Sequence, residues 1–377
     1  MSKPAHLLAS LATVCMLALL LATAASARVP QGFVGVMADG PIAAPGFDPS
    51  GETRTMVASG VESVRIVIHW TDAQPSRDAA PAFDRYDRLV ASATARGLRV
   101  LPVVTTAPDW AAKYPGDFAS PPSGTADYAT FVRTIVQRYG PDGTFWIENS
   151  TLPQRPVRRW QLWNEPNLRT SWRDRNWAAP YVALLRAGRR AVKSTDPGAR
   201  IVLAGLANYS WRSLAAIYRV RESRALFDEV AIHPYTREVS GLTTILQRVR
   251  ATIGSHGDRR KPIVVTEFGW PSALGKAKGF GIETTERGQA RKAAAALRLL
   301  AGERRRLGLS GVFWHSWIGT DRGSDSIWPY SGLRRYERDG SVTSKPALRA
   351  FRGAALRLES CRRKASVATR CASRRPG

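Results

Sequence analysis

Two glutamates stand where carboxylates could do chemistry. Glu165 lies in Trp163-Asn164-Glu165-Pro166, behind the apolar run 159–163, and Glu267 lies in Thr266-Glu267-Phe268-Gly269, behind the run 262–266. They are 102 residues apart in the chain. A pair of carboxyl groups facing across a cleft is suited to cleaving a glycosidic bond. One member, kept protonated, gives a proton to the leaving oxygen, and the other, ionised, attacks the anomeric carbon. Different surroundings can hold the two pKa values apart. A lone Glu behind a strand is usually a cap or a surface charge; the repetition of the pattern carries the reading. Residues so distant in sequence meet only if the elements bearing them end side by side.

The rest of the chain supplies such elements. Short apolar, β-branched runs recur at 33–37, 64–68, 99–105, 159–163, 201–204, 229–232, 262–266 and 311–315, and each reads as a buried parallel strand. Amphipathic helical patterns fall between them at 83–96, 127–139, 178–195 and 285–307, with Gly97, Gly140-Pro141 and Asp196-Pro197-Gly198 as stop signals. The stretch from Gly140 to Pro156 reads as a loop insertion. Strand–helix alternation predicts a parallel α/β fold, and eight strands predict a closed (β/α)8 TIM barrel as a single domain. The competing open doubly wound sheet usually carries a glycine-rich loop after its first strand, and Gly32, Gly35 and Gly40 do not form one. In a barrel the working residues sit at the C-terminal strand ends, where both glutamates fall.

With those motifs in those places, the chain resembles the retaining (β/α)8 glycoside hydrolases of clan A, most of all families 39 and 5. The resemblance spans nearly all of the chain after residue 27. It implies that Glu165 is the acid/base and Glu267 the nucleophile. It implies that Asn164 bonds the sugar 2-hydroxyl, that Tyr235 in Ile232-His233-Pro234-Tyr235 holds the nucleophile ionised, and that His233 lines the same wall. Arg65 in the second strand matches the family's strand-two arginine. Trp314 resembles the tryptophan under the reacting sugar, with Trp317 competing for that place. The sequence departs from the family at the end of strand three, where Thr105-Thr106-Ala107-Pro108 offers no histidine, and His69 is the substitute at hand. Among the twelve tryptophans, Trp110 and Trp270 are the first candidates for sugar platforms, because flat indole faces suit the apolar faces of sugars.

Composition bounds the remainder. Lys3, the apolar run 7–22 and Ala25-Ser26-Ala27 read as a signal peptide over 1–27, with an N-terminal membrane anchor as the alternative. The catalytic domain would then be 28–358, followed by a basic tail, 359–377, in which Cys361 and Cys371 are candidates for a disulfide in an exported protein. No Cys/His cluster has metal-ligand spacing, and the chemistry needs neither metal nor cofactor. The formal charge is +26, from 56 Lys and Arg against 30 Asp and Glu. It is compatible with an anionic cell-wall or extracellular polymer as a partner, but solvated arginine-rich helix faces are the favoured reading. No nucleic-acid motif is present. The expectation is a secreted monomer, extracellular or at the cell envelope, that hydrolyses O-glycosidic bonds of a polysaccharide or oligosaccharide. A sugar-binding envelope protein that kept the groove and lost the chemistry is the alternative.

Overall fold

The computed structural model describes residues 29–358 apart from residue 324. The segment read as a signal peptide, the basic tail and the pair Cys361 and Cys371 lie outside the described residues. Among the described residues no helix is long and apolar enough to cross a membrane.

Nine parallel strands build one sheet: β1 (Val34–Ala38), β2 (Ser63–His69), β3 (Arg99–Thr105), β4 (Arg159–Leu162), β5 (Arg200–Val202), β6 (Leu206–Ala207), β7 (Val230–His233), β8 (Ile263–Phe268) and β9 (Leu309–Trp314). Their order is β5-β4-β3-β2-β1-β9-β8-β7-β6. β5 and β6 are consecutive pieces of one crossing, the fifth stave. A bridge from Asn164 to Gly205 ties the end of β4 to that stave, and one from Val202 to Glu229 ties it to the start of β7. The two ends of the sheet therefore meet there, and nine strands make the eight-stave barrel that the alternation predicts.

The strands at 33–37, 64–68, 99–105, 159–163, 229–232, 262–266 and 311–315 are present within two residues of those bounds. The expected strand at 201–204 is instead broken. Leu203 donates its N–H to the Glu229 carbonyl, and Ala204 donates to the Tyr181 hydroxyl, which itself donates to the Leu162 carbonyl. A helix side chain thus satisfies backbone groups that a neighbouring strand would otherwise take. The helices Asp84–Ala95, Thr125–Tyr139, Ala178–Thr195 and Glu286–Leu307 also match the sequence pattern. The insertion after Gly140 contains a short helix, Thr144–Glu148. A small second sheet, β10 (Ile318–Gly319), β11 (Arg334–Tyr336) and β12 (Val342–Ser344), forms in the loop after β9.

Inside the barrel, layers of side chains fill the bore. Leu101, Val202, Ala231, Val264 and Phe313 pack as one cluster, and Met37, Val67 and Val103 as another. Gly35 leaves the room that the Phe313 ring occupies. Near the N-terminal ends of the strands, Glu229 is buried and receives Arg159 at 2.6–2.9 Å and the Ser310 hydroxyl at 2.8 Å. The opposite end carries the site.

Candidate active site

β4 and β8 deliver the two carboxylates by breaking strand regularity. After Leu162, Trp163 adopts φ 73° and Glu165 φ 45°, left-handed conformations that cost a non-glycine residue on the order of 1–3 kcal/mol each. The first turn sends the Trp163 ring outward against Tyr128 and Trp172 and leaves Asn164 facing the bore. The segment is pinned on both sides: Trp163 N–H donates to Val104, and Glu165 N–H to Gly205. In β8 the pairing with β9 slips between Val265 and Phe268. Such a bulge re-aims side chains, and here Thr266 and Glu267 both reach the site.

Arg65 organises the bore beneath them. It is fully buried and every guanidinium nitrogen is engaged. Nη1 donates to Glu267 Oε1 at 2.7 Å, Nη2 to Asn164 Oδ1 at 2.7 Å, and Nε to Gln161 Oε1 at 2.8 Å. Glu267 receives its second bond from the Tyr235 hydroxyl, 2.9 Å from Oε2. Burial opposes ionisation of Glu267. The positive fields of His233, Arg65 and His315 and the Tyr235 hydrogen bond outweigh it and hold the pKa at about 2. Tyr235 moves the other way: burial first, then the charges of Glu267 and Glu165, push its pKa well above the usual range, so it stays a donor.

Glu165 is more open, with 16% of its side chain exposed against 8% for Glu267. Its Oε1 lies 2.6 Å from Nδ1 of His233, whose Nε2 lies 3.0 Å from the Thr266 hydroxyl. His233 can stand there because residue 205 is glycine; a Cβ on it would clash with the imidazole ring.

One oxygen of Glu165, one of Glu267 and a nitrogen of His233 all lie within 4.8 Å of one another. Three such ligand atoms could hold a metal ion, but the Arg65 guanidinium already occupies Glu267 and would repel a cation there. The arrangement is better matched to acid–base and nucleophilic work.

Of the residues picked out by sequence, Glu165, Glu267, Asn164, Arg65, His233 and Tyr235 come together. The tryptophans do not. Trp314 is fully buried: strand alternation turns it away from the bore onto Phe268 and Trp270, and its indole N–H donates to the Ser331 carbonyl. Trp317 is equally buried, donating to Glu52. Trp270 is 1% exposed and donates to the carbonyls of Thr236 and Arg237. Trp110 packs edge-on to Trp70, donates to Gln74, and has Arg77 4.7 Å over its ring. None of these four offers a free indole face to a sugar. His69 does line a 100 Å³ cleft beside Asn164, together with Asp39, Thr106 and Phe118. Its Nδ1 is 2.7 Å from the Thr106 hydroxyl, and Thr106 has φ 64°. The sequence reading assigned no role to Gln161 or Thr266, the polar groups below the glutamates, and ranked Trp328, which packs 4.9 Å from Tyr235, behind Trp110 and Trp270. Gln161 was detectable as a polar residue inside an apolar run, one position before the end of β4.

A barrel with two glutamates converging at its C-terminal mouth over a buried arginine defines the glycoside hydrolase class. The model of the cellulase family, glycosyl hydrolase family 5, matches residues 52–319, and the chain belongs to that family. No curated protein matches the chain. Among solved structures, it is similar to a family 39 glycoside hydrolase from Bacteroides cellulosilyticus WH2, with TM-score 0.65 and 22% identity over 88% of this chain and 64% of that one. It thus spans less than two thirds of that protein's length. GH5_18 from Streptomyces cattleya, solved with GlcNAc, aligns with TM-score 0.62 and 18% identity over 88% of this chain and 81% of the other. The GH53 catalytic domain of Ignisphaera aggregans gives 0.59 and 21% over 86% and 97%.

Proposed function

We propose that the protein is an exported retaining glycosidase that cleaves β-linked O-glycosides of a polysaccharide or oligosaccharide by double displacement. The observation that carries the reading is the spacing of the glutamates. With an oxygen of each within 4.8 Å of the other, the pair is close enough for the carboxyl separation of about 5–5.5 Å used for covalent catalysis.

In the first step Glu267, held anionic by Arg65 and Tyr235, attacks the anomeric carbon. The bond from that carbon to the leaving oxygen breaks, and the Glu165 proton goes to that oxygen. The product is a glycosyl ester on Glu267. In the second step Glu165, now a carboxylate, takes a proton from water as the water oxygen attacks the same carbon. The ester bond breaks and Glu267 leaves as carboxylate. Two inversions return the original configuration. Asn164, fixed by Arg65, is placed to bond the sugar hydroxyl next to the reacting carbon.

Export follows from the N-terminal signal pattern, and the extracellular space or cell envelope is the expected location. An anionic wall polymer that retains the enzyme through its net positive charge is a compatible partner.

The test is a screen of residues 28–377 on aryl β-glycosides and polysaccharides, with proton NMR of the product as it forms. The β-anomer as first product from a β-glycoside supports the reading; the α-anomer overturns it. Absence of turnover on every substrate, with polysaccharide binding retained, would favour the sugar-binding alternative.

A further inference from the structure

With Trp314 and Trp317 fully buried, the end of β9 offers the reacting sugar no indole face. The alternation that puts Phe313 in the bore and Trp314 outside it brings His315 back inward. The His315 ring stands edge-on to Tyr235 (centroids 6.3 Å, 85°) and to Trp328 (5.4 Å, 82°). Tyr235 is the residue bonded to Glu267, so this wall is one layer from the reacting centre. Nδ1 of His315 is buried with no partner. Nε2 has no protein partner either and is not among the buried orphans, so it is the accessible edge of the ring. Burial lowers the pKa of His315, against the raising fields of Glu267 and Asp39. Nε2, unlike Nδ1, is not enclosed, and it is the ring nitrogen that can donate to a ligand.

Asp39 stands at the end of the adjacent strand, near enough for its charge to act on His315. Val36 pairs with Trp314, and Trp317 N–H donates to the Met37 carbonyl, so β1 and β9 run level at their ends. Met37 points into the bore, where its sulfur meets Arg65. Asp39, two residues on, lines the mouth cleft, and among the described residues no donor bonds its carboxylate. No lysine or arginine lines that cleft, and all three nitrogens of Arg65 are taken by Glu267, Asn164 and Gln161.

We infer that His315 and Asp39 are the specificity residues of the reacting-sugar subsite, His315 donating from Nε2 and Asp39 accepting from hydroxyls, so that the sugar they admit is neutral. The inference rests on the proposed glycosidase reading. A uronic acid in this subsite would set its carboxylate beside two others with no free cation to meet it, and like charges at that range are costly. The net charge of +26 is therefore not a guide to the reacting sugar.

The experiment compares kcat/KM on matched neutral and uronide aryl β-glycosides sharing one leaving group, glucoside with glucuronide and galactoside with galacturonide. The proteins are wild type, His315→Phe, Asp39→Asn and Glu267→Ala. His315→Phe keeps the packing on Trp328 and Tyr235 while removing the donor. Wild type should favour the neutral partner. Loss of one hydrogen bond in His315→Phe should lower kcat/KM on it by about 10-fold. Asp39→Asn should narrow the neutral-to-uronide ratio by about 10-fold or more, as expected for a charged partner. A wild type that prefers the uronide overturns the inference. So does a variant pair that changes both substrates by equal factors, which is the mark of a structural role. If wild type turns over none of them, the glycosidase reading fails separately. Tryptophan fluorescence titration with glucose and glucuronate then decides the subsite: a neutral preference relaxed by Asp39→Asn supports it, and equal binding overturns it.

Discussion

Two walls of one cleft present the same side chain in opposite surroundings. On the β8 wall, Glu267 is buried and tied at both oxygens, to Arg65 and to Tyr235. On the β4 wall, Glu165 is twice as exposed and touches the protein through His233 alone among the side chains described. The Glu267 wall has a permanent cation and a phenol that cannot ionise, so its charge never changes during turnover except by bonding to sugar. The Glu165 wall has an imidazole that can donate or accept a hydrogen bond according to its tautomer. A nucleophile needs the first environment and a proton shuttle the second. The difference lies in what each strand end places next to the carboxylate, not in the carboxylate.

The comparison can be broken from either side, and removing the glutamates should have the largest effect. Glu267→Ala should lower kcat on every substrate by on the order of 10⁴-fold or more. Glu165→Ala should depend on the leaving group: severe for a sugar, much milder for a nitrophenol, which departs without a proton. Hydrolysis rates on an aryl series check this, and equal losses for the two variants would erase the distinction between the walls.

Gly205→Ala should fall mainly on the Glu165 wall. The added methyl displaces His233 and with it the alignment of Glu165. A misplacement of about 1 Å costs roughly 10²-fold. Steady-state kinetics should show the loss in kcat. Tyr235→Phe should do the converse. It removes one hydrogen bond to Glu267, lowering kcat/KM about 10-fold and moving the acid limb upward, since the carboxylate loses a group that favours its charge.

Stability should follow the Glu267 wall. The pKa of Glu267 is depressed from its ordinary value of 4.5 to about 2. A depressed carboxyl contributes stability that is present above its unfolded value and lost as pH falls through its folded value. The unfolding midpoint should therefore drop between about pH 5 and pH 2, and Glu267→Gln should flatten part of that slope in thermal melts. The smallest effect on turnover is expected from Trp110→Ala. Its indole is committed to Trp70, Gln74 and Arg77, so the melting temperature should fall while KM stays as in wild type.

The barrel was legible in the sequence because parallel strands buried on both faces read as continuous apolar runs, and because both glutamates stand at the ends of such runs. Arg65, His233 and Tyr235 came through the resemblance and fall where it places them. The tryptophans misled because large aromatic residues near strand ends serve the packing between barrel and helices as readily as they serve a cleft. Alternation in β9 would have separated the cases: Phe313 in, Trp314 out, His315 in. The orientation of Asn164 and Glu267 was beyond such counting, since a left-handed residue at Trp163 and a bulge in β8 both break the period of two. The fifth stave was misread for a similar reason, its backbone being satisfied by Tyr181 rather than by a neighbouring strand.

The most direct measurement is intact-protein mass spectrometry, followed by peptide mapping, after incubation with a 2-deoxy-2-fluoro aryl glycoside of the preferred sugar. The fluorine slows breakdown of a glycosyl ester, and the activated leaving group lets it form. The account predicts one added sugar, on the peptide that contains Glu267, and no adduct in Glu267→Ala. A label on another residue, or unlabelled protein that still hydrolyses its substrate, would contradict it.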